Sequence, residues 1–490
     1  MPIHCPITCP ITSLSMNKLA FYINGHWCKP LTSKQLLPVI NPATEAVFAE
    51  VYLAKTDDVE AAVNAAANAF DAWSQTPLPQ RILKVEAFLA AYQKHYGDMA
   101  RAITEEMGAP ASMSFDIQTE TGVGHTEAHL QAAKTALIDE PIGEHGQLLK
   151  EPIGVCVLIT PWNWPINQIV CKVIPALLAG CTMVLKPSEL TPMSAQLFTQ
   201  CVHEAGIPNG VFNMIHGTGA DIGNYMTSHP LVNMVSFTGS TRAGVEIAKS
   251  AATTVKRMSQ ELGGKSANII FADANLSTQV ELGVEACMLN SGQSCDAPTR
   301  MLVEASVYGQ VAELAVDAFA SITLGDPQQH GDHLGPVISQ PHWHKVQHLI
   351  QTGVDEGATL LSGGVGKPQG FEQGYYVKPT LFGDVNNAMA IAQEEVFGPV
   401  LVLIPFKDEA EAIKIANDSP YGLGAYVSTQ DMGKARRVAR QLRAGTVHIN
   451  MADLEYCMPF GGYKQSGNGR EYASFGLHEF QELKAIAGYR

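Results

Sequence analysis

Residues 154–187 read GVCVLITPWNWPINQIVCKVIPALLAGCTMVLKP. Gly154–Thr160 is a short apolar run of strand length, Asn167–Leu178 is helical, and Thr182–Leu185 is a second strand that stops at Lys186-Pro187. The alternation continues downstream. A helix over Ser194–Ala205 leads to a strand over Val211–Ile215 ending in Gly217-Thr218-Gly219, and Ile222–Thr227 begins the next helix. Val235-Ser236-Phe237 is a strand ending in Thr238-Gly239-Ser240, followed by a helix over Ala243–Ala252. Strands alternating with helices in this way imply a parallel sheet covered on both faces, an α/β fold of Rossmann-like kind. Ligands of such sheets bind beyond the carboxyl ends of the strands. Asn163, Lys186, Gly217 and Ser240 all stand at such ends.

Upstream, Thr56-Asp57-Asp58 gives a helix-start signal, and Val59, Ala62, Val63, Ala66, Ala67, Phe70 and Trp73 recur at helical spacing. This predicts an amphipathic helix over 57–75, with a second from about Pro79 to Tyr96. Beyond Glu261–Lys265 another α/β stretch runs to about residue 465. Its expected strands are Ser266–Phe271, Thr299–Val303 and Val400–Ile404, with helices near Thr278–Leu289 and Val307–Ala320. Residues 130–150 and 478–490 fit neither unit and read as arm-like strands.

A chain of 490 residues exceeds one ordinary core, so two or more packed units are expected. The balance of 32 Lys+Arg against 47 Asp+Glu gives a net charge of −15, which argues against nucleic acid or anionic membrane as a partner. No uncharged apolar stretch is long enough to span a bilayer, and the expectation is a soluble cytoplasmic protein. The cysteines are dispersed, several within apolar runs, and read as reduced core residues. Met1–Ser15 lacks both the basic and the apolar region of a secretory signal and reads as a disordered tail. His4 beside Cys5-x3-Cys9 has no second ligand pair, so no metal is expected there.

Three peptides carry chemistry. In Ser291-Gly292-Gln293-Ser294-Cys295-Asp296-Ala297, a helix-like run ends at Asn290 and a glycine turn presents one cysteine among polar neighbours. Position alone leaves that cysteine either structural or nucleophilic; a nucleophile needs access and a stabilised thiolate. Glu261-Leu262-Gly263-Gly264-Lys265 sets an acid where a strand runs into a Gly-Gly turn, which allows close backbone approach. Pro161-Trp162-Asn163-Trp164-Pro165 fixes a turn around a single amide, either a rigid corner or an oxyanion donor.

These peptides are where a family resemblance enters. From about Leu19 to Arg490 the chain resembles the aldehyde dehydrogenase superfamily, of the hydrolytic, NAD(P)-dependent type. The matching motifs are Pro161–Pro165, Lys186-Pro187-Ser188-Glu189, Phe237-Thr238-Gly239-Ser240-Thr241, Glu261–Lys265, Gly292-Gln293-Ser294-Cys295, Glu394–Pro399 and Pro459–Lys464, all in the family's order.

The resemblance implies an NAD-binding domain over 16–129 and 152–262, an α/β catalytic domain over 263–465, and a small β-arm for oligomerisation over 130–151 and 475–490. A homodimer or homotetramer follows from it. It also implies roles: Cys295 as nucleophile, Asn163 as oxyanion donor, Glu261 as general base, and Lys172 with Glu471 as a proton relay one layer out. Lys186 and Glu189 would hold the adenosine ribose, Glu395 the nicotinamide ribose, and Ser240 the pyrophosphate, with Phe397 beside the nicotinamide. Thr160, Pro161, Trp162, Ser188, Gly219, Phe237, Gly239, Leu262 and Gly263 complete the implied cofactor site. Trp164, Gln168, Ser294, Asp296 and Phe460 form the implied substrate pocket. An acid at Glu189 repels a 2′-phosphate, so NAD is expected ahead of NADP.

Some signals point elsewhere. Gly217-x-Gly219-x3-Gly223 departs from the dinucleotide fingerprint, and Gly363–Pro368 lacks the strand–helix frame of a phosphate loop. His342-x-His344-x3-His348 has no acid or cysteine in step and reads as a solvated helix face. Gln168 is polar where relatives carry Met or Leu, and Asp296 follows the cysteine where small residues are common. An acid there raises the thiol above its free value of about 8.5 unless it points away. Asp296 is therefore expected to face the substrate channel. Two other readings use the same scaffold: a CoA-acylating dehydrogenase, against which Glu261 argues, and a catalytically silent protein.

Overall fold

The computed structural model describes residues 18–489, so the expected tail and the Cys5–Cys9 pair lie outside the described residues. Val155–Ile159 and Thr182–Lys186 are buried along their whole length, as strands covered on both faces must be. They belong to an eight-stranded sheet. Its order is Gly467–Asn468, Arg257–Glu261, Met234–Thr238, Val155–Ile159, Thr182–Lys186, Phe212–Met214, Phe21–Ile23, His26–Cys28. The five strands from Arg257–Glu261 to Phe212–Met214 are parallel.

The order of those five positions the site. From Val155–Ile159 the chain moves one way to Thr182–Lys186 and Phe212–Met214, then returns to the other side for Met234–Thr238 and Arg257–Glu261. The crossovers leaving Val155–Ile159 and Met234–Thr238 therefore head apart. A crevice opens between their carboxyl ends, the usual ligand position in open α/β sheets.

The helix Pro165–Ala179 is buried at every residue, packed between this sheet and the helices Leu78–Lys94 and Glu120–Ala136. The expected helix at 57–75 is Thr56–Ser74. Asp58 opens it, its carboxylate accepting the Lys55 N–H at 2.9 Å. The expected helix at 79–96 ends at Lys94, and a separate helix, Tyr96–Met107, begins at once.

A second sheet of seven strands follows Glu261 after a short link. Its order is Thr359–Ser362, Thr380–Gly383, Val400–Phe406, Arg300–Glu304, Ala267–Ile270, Gly424–Ser428, Thr446–Ile449, parallel except for the first pair. Because Glu261 ends a strand of the first sheet and Ala267 begins one of the second, the carboxyl edge of one sheet meets the amino edge of the other. Cys295 lies just before Arg300–Glu304, and Glu395 and Phe397 lie just before Val400–Phe406.

The arm-like strands pair with each other. Gly146–Pro152 takes Glu140–Ile142 on one side and the tail strand Gln481–Ala487 on the other. The strand expectation fails at 130–136, which finish the helix Glu120–Ala136, and at 478–479, which end the helix Ala473–Glu479. Buried Leu130, Ala133 and Ala136 recur at helical spacing, so packing keeps this segment helical. Among the described residues no helix is long and apolar enough to cross a membrane.

Candidate active site

The helix before the cysteine ends at Met288, two residues earlier than expected. Asn290, Ser291 and Gly292 then run in the left-handed region, at φ 57°, 56° and 73°. Side chains hold this unfavourable turn. Asn290 Nδ2 donates to the Asn163 carbonyl at 2.8 Å, and Ser291 Oγ donates to the Gly335 carbonyl at 2.8 Å. Gln293 Oε1 accepts the Ile338 N–H at 2.9 Å. A Cβ on Gly292 would overlap the Gly398 carbonyl, so only glycine lets the turn seat against that segment. Gly264 is required for the same reason on the other side, where a Cβ would strike the Cys295 carbonyl.

Asn163 leaves the Val155–Ile159 strand and is buried. One N–H of its Nδ2 donates to the Gln293 carbonyl at 3.0 Å, which fixes the amide and leaves the second N–H to face the cavity. That cavity, about 180 Å³, is lined by Asn163, Cys295, Gln168, Pro161, Trp162, Gly239, Ser240, Leu262, Gly263, Glu395 and Phe397. It occupies the crevice set by strand order. Eleven residues anticipated from the sequence thus share one wall system.

The others surround it. Glu261 is buried, and neither carboxylate oxygen has a hydrogen-bond partner among the described residues. Burial first, then the Glu471 carboxylate, holds Glu261 well above the usual carboxylate range, while Lys172 and Arg470 pull it back. Lys172 and Glu471 form a buried ion pair. Trp164 Nε1 donates to Ser294 Oγ at 2.8 Å, and Phe460 stacks on Tyr472 at 5.2 Å. Lys186 donates to the Gly217 carbonyl at 2.7 Å and to Glu189 at 3.3 Å, a cluster at the next strand's end. Ser188 Oγ accepts the Leu190 N–H, while Thr160 and Phe237 are buried and do not line the cavity. Gly219 does not reach the cavity. It is exposed at the start of a one-turn π-helix, Gly219–Gly223.

The thiol is half-buried. Burial, then the charges of Asp296, Glu395 and Glu261, pushes it well above its ordinary value, and its own backbone N–H pulls it back. Asp296 therefore does act on the thiol. A reactive thiolate must then gain population as pH rises. Asp296→Asn removes one of the opposing charges, so its alkylation by iodoacetamide should climb at lower pH than in the parent. An unmoved pH profile contradicts this account of the thiol.

Sequence reasoning missed three cavity residues: Thr238, His342 and Lys345. His342 does not sit on a solvated face. Its Nε2 bonds the Phe397 carbonyl at 2.7 Å and its ring meets Trp162 at 5.4 Å. The signal lay in the helical spacing of His342 and Lys345, three apart on one face, which the more obvious histidine series concealed.

The cavity suits a dinucleotide. Ser240 caps the helix Thr241–Ala251, whose free N–H groups favour an anion such as a pyrophosphate. Glu395 accepts the Gly264 N–H through Oε1 at 2.8 Å and keeps Oε2 for a hydroxyl, while Trp162 and Phe397 supply flat walls.

Comparison with known proteins agrees with this geometry. The model of the aldehyde dehydrogenase family matches residues 27–486. A 3-succinoylsemialdehyde-pyridine dehydrogenase of a Pseudomonas species is 50% identical over 470 residues, covering 96% of this chain and 98% of that protein. The crystal structure of an aldehyde dehydrogenase from Bartonella henselae superposes with a TM-score of 0.95 at 50% identity, covering 96% of this chain and 99% of that one. Aldehyde dehydrogenase C from Pseudomonas syringae, solved with NAD+ and octanal, gives a TM-score of 0.95 at 46% identity over 98% of both chains. With its motifs, its sheet order and its relatives in agreement over nearly the whole length, this chain belongs to the aldehyde dehydrogenase family.

Proposed function

We propose that this chain oxidises an aldehyde to its carboxylic acid with NAD, through a covalent thioester on Cys295. The observation that carries the reading is the meeting of the Cys295 thiol, the fixed Asn163 amide and the dinucleotide-fitting walls in one cavity, with the unpartnered Glu261 carboxylate close enough to raise the thiol. Cys295 attacks the aldehyde carbon. The Asn163 N–H and the Cys295 backbone N–H take the oxyanion that develops on the former carbonyl oxygen. Bound NAD supplies the hydride acceptor. Glu261, with both oxygens free, draws a proton from water as that water attacks the acyl carbon and releases the acid. Lys172 and Glu471 stand behind it as a route for the proton.

Glu189 at the neighbouring strand end disfavours a 2′-phosphate, so NAD is used ahead of NADP. The eight-stranded unit serves as the cofactor domain and the seven-stranded unit as the catalytic domain. Exposed Ile142 and Leu483 on the three-stranded arm, with exposed Ile138 just before it, support its use in a homodimer or homotetramer.

The experiment is stopped-flow NADH formation with a panel of aliphatic, aromatic, amino- and carboxy-aldehydes. The parent produces NADH and acid, and Asn163→Ala lowers kcat about 100-fold through the lost oxyanion contact. An Asn163→Ala enzyme working at the parent's rate removes the amide from the reading.

A further inference from the structure

Gln168 carries a side-chain amide that bonds no other described residue. It lies in the first turns of the helix Pro165–Ala179, is 4% exposed, and lines the cavity that holds the Cys295 thiol. The backbone is closed at this position, because the Gln168 N–H is given to the Trp164 carbonyl at 3.0 Å, so the wall it contributes is its side chain. The amide oxygen is enclosed by protein without a hydrogen-bond partner. The amide nitrogen has no acceptor among the described residues either. Unlike the oxygen it is not sealed off, so it is the end that opens to the cavity. A buried amide left unpaired destabilises a fold, and a ligand that completes it accounts for its presence.

Helical spacing places that amide on the substrate's path. Trp164, Gln168 and Lys172 follow one another at intervals of one turn and share one face. Trp164 Nε1 reaches Ser294, the neighbour of Cys295, at 2.8 Å, and Lys172 pairs with Glu471, whose charge acts on Glu261. Gln168 stands between them, along the way from the nucleophile to the base. Charge then narrows what the amide can meet. Asp296, Glu395 and Glu261 all raise the thiol, so a carboxylate on the substrate would enter a field that is already negative. An NH2 donor needs an acceptor, and a neutral oxygen supplies one without adding charge. The aldehyde oxygen itself is taken by Asn163 and the Cys295 N–H.

We propose that Gln168 selects the substrate, its Nε2 donating one hydrogen bond to a neutral keto or ether oxygen carried on the chain behind the aldehyde carbon. This rests on the thioester reading above and deepens it by naming the substrate class. A hydrocarbon aldehyde leaves the buried amide unpaired, and that penalty is what discriminates against it.

The test uses two pairs of near-isosteric aldehydes, methoxyacetaldehyde with butanal and levulinaldehyde with isocaproaldehyde, and follows NADH formation in the first turnover and in the steady state. The ratio of kcat/KM within a pair is compared between parent and variant, which cancels the effect of the oxygen on the reactivity of the carbonyl. Gln168→Leu should lower that ratio about tenfold, against the oxygen-bearing member, in at least one pair. Gln168→Met, also apolar, gives the same shift and takes over if the leucine variant does not fold. Ratios unchanged in both pairs overturn the proposal. So does a loss shared equally by all four aldehydes, which would put the amide on the oxyanion if it slows the first turnover, or on the hydrolytic water if it slows only the steady state. A parent that forms no NADH from any of the four sinks the thioester reading itself, so the two failures are told apart.

Discussion

Cys295→Ala should lower NADH formation from aldehyde roughly 10⁴-fold or more while leaving NADH binding intact. The expectation comes from what the substitution removes. Among the described residues no other cysteine lines the cavity, and the buried ones, Cys156, Cys171, Cys181, Cys201 and Cys287, are enclosed in the interior. Without the sulfur, Asn163 has no oxyanion to hold and the split of the oxidation into two easier steps is lost. The turn itself survives. It is held by Asn290, Ser291 and Gln293, none of which bonds the thiol, so the variant should keep its fold. Paired measurements of NADH affinity and turnover separate a missing nucleophile from a collapsed site. Turnover within tenfold of the parent would remove Cys295 from the mechanism.

Glu261→Gln should produce the opposite pattern. The first turnover of NADH persists, and the steady state falls roughly 10³-fold. Glutamine has the same shape but cannot take a proton from water, so the acyl group stays on the enzyme. Removing the Glu261 charge also relieves one of the groups that push the thiol up, so the first turnover should not slow. In the parent, burial and Glu471 raise Glu261, so its basic form gains population with rising pH and deacylation speeds up. The variant should lose that limb of the steady-state profile. A variant that turns over steadily at the parent's rate shows that another group activates the water.

Much of this architecture was legible because local and global signals agreed. The strands at 154–160 and 182–185 were visible as unbroken apolar runs, and they are buried throughout. The residues at 163, 240, 261 and 295 stood at element ends near Gly or Pro, each with a structural reading beside the chemical one, and the resemblance set them apart. What stayed hidden depends on contacts far apart in sequence. His342 gains its meaning only from Phe397, 55 positions away, whose left-handed backbone no local pattern announces. Gly219 entered the expected cofactor set through the resemblance although its spacing departs from the dinucleotide fingerprint, and Thr218 caps a π-turn there that leaves it exposed. Residues 130–136 read as arm because the segment 130–150 fits neither α/β unit, while their own apolar spacing is helical.

The most direct test is to mix the Glu261→Gln enzyme with NAD and an aldehyde, quench in acid at the end of the first turnover, and map the peptides by mass. The mechanism predicts the acyl mass on the peptide containing Cys295, in amount equal to the NADH formed. An equivalent of NADH accompanied by an unmodified Cys295 would contradict it.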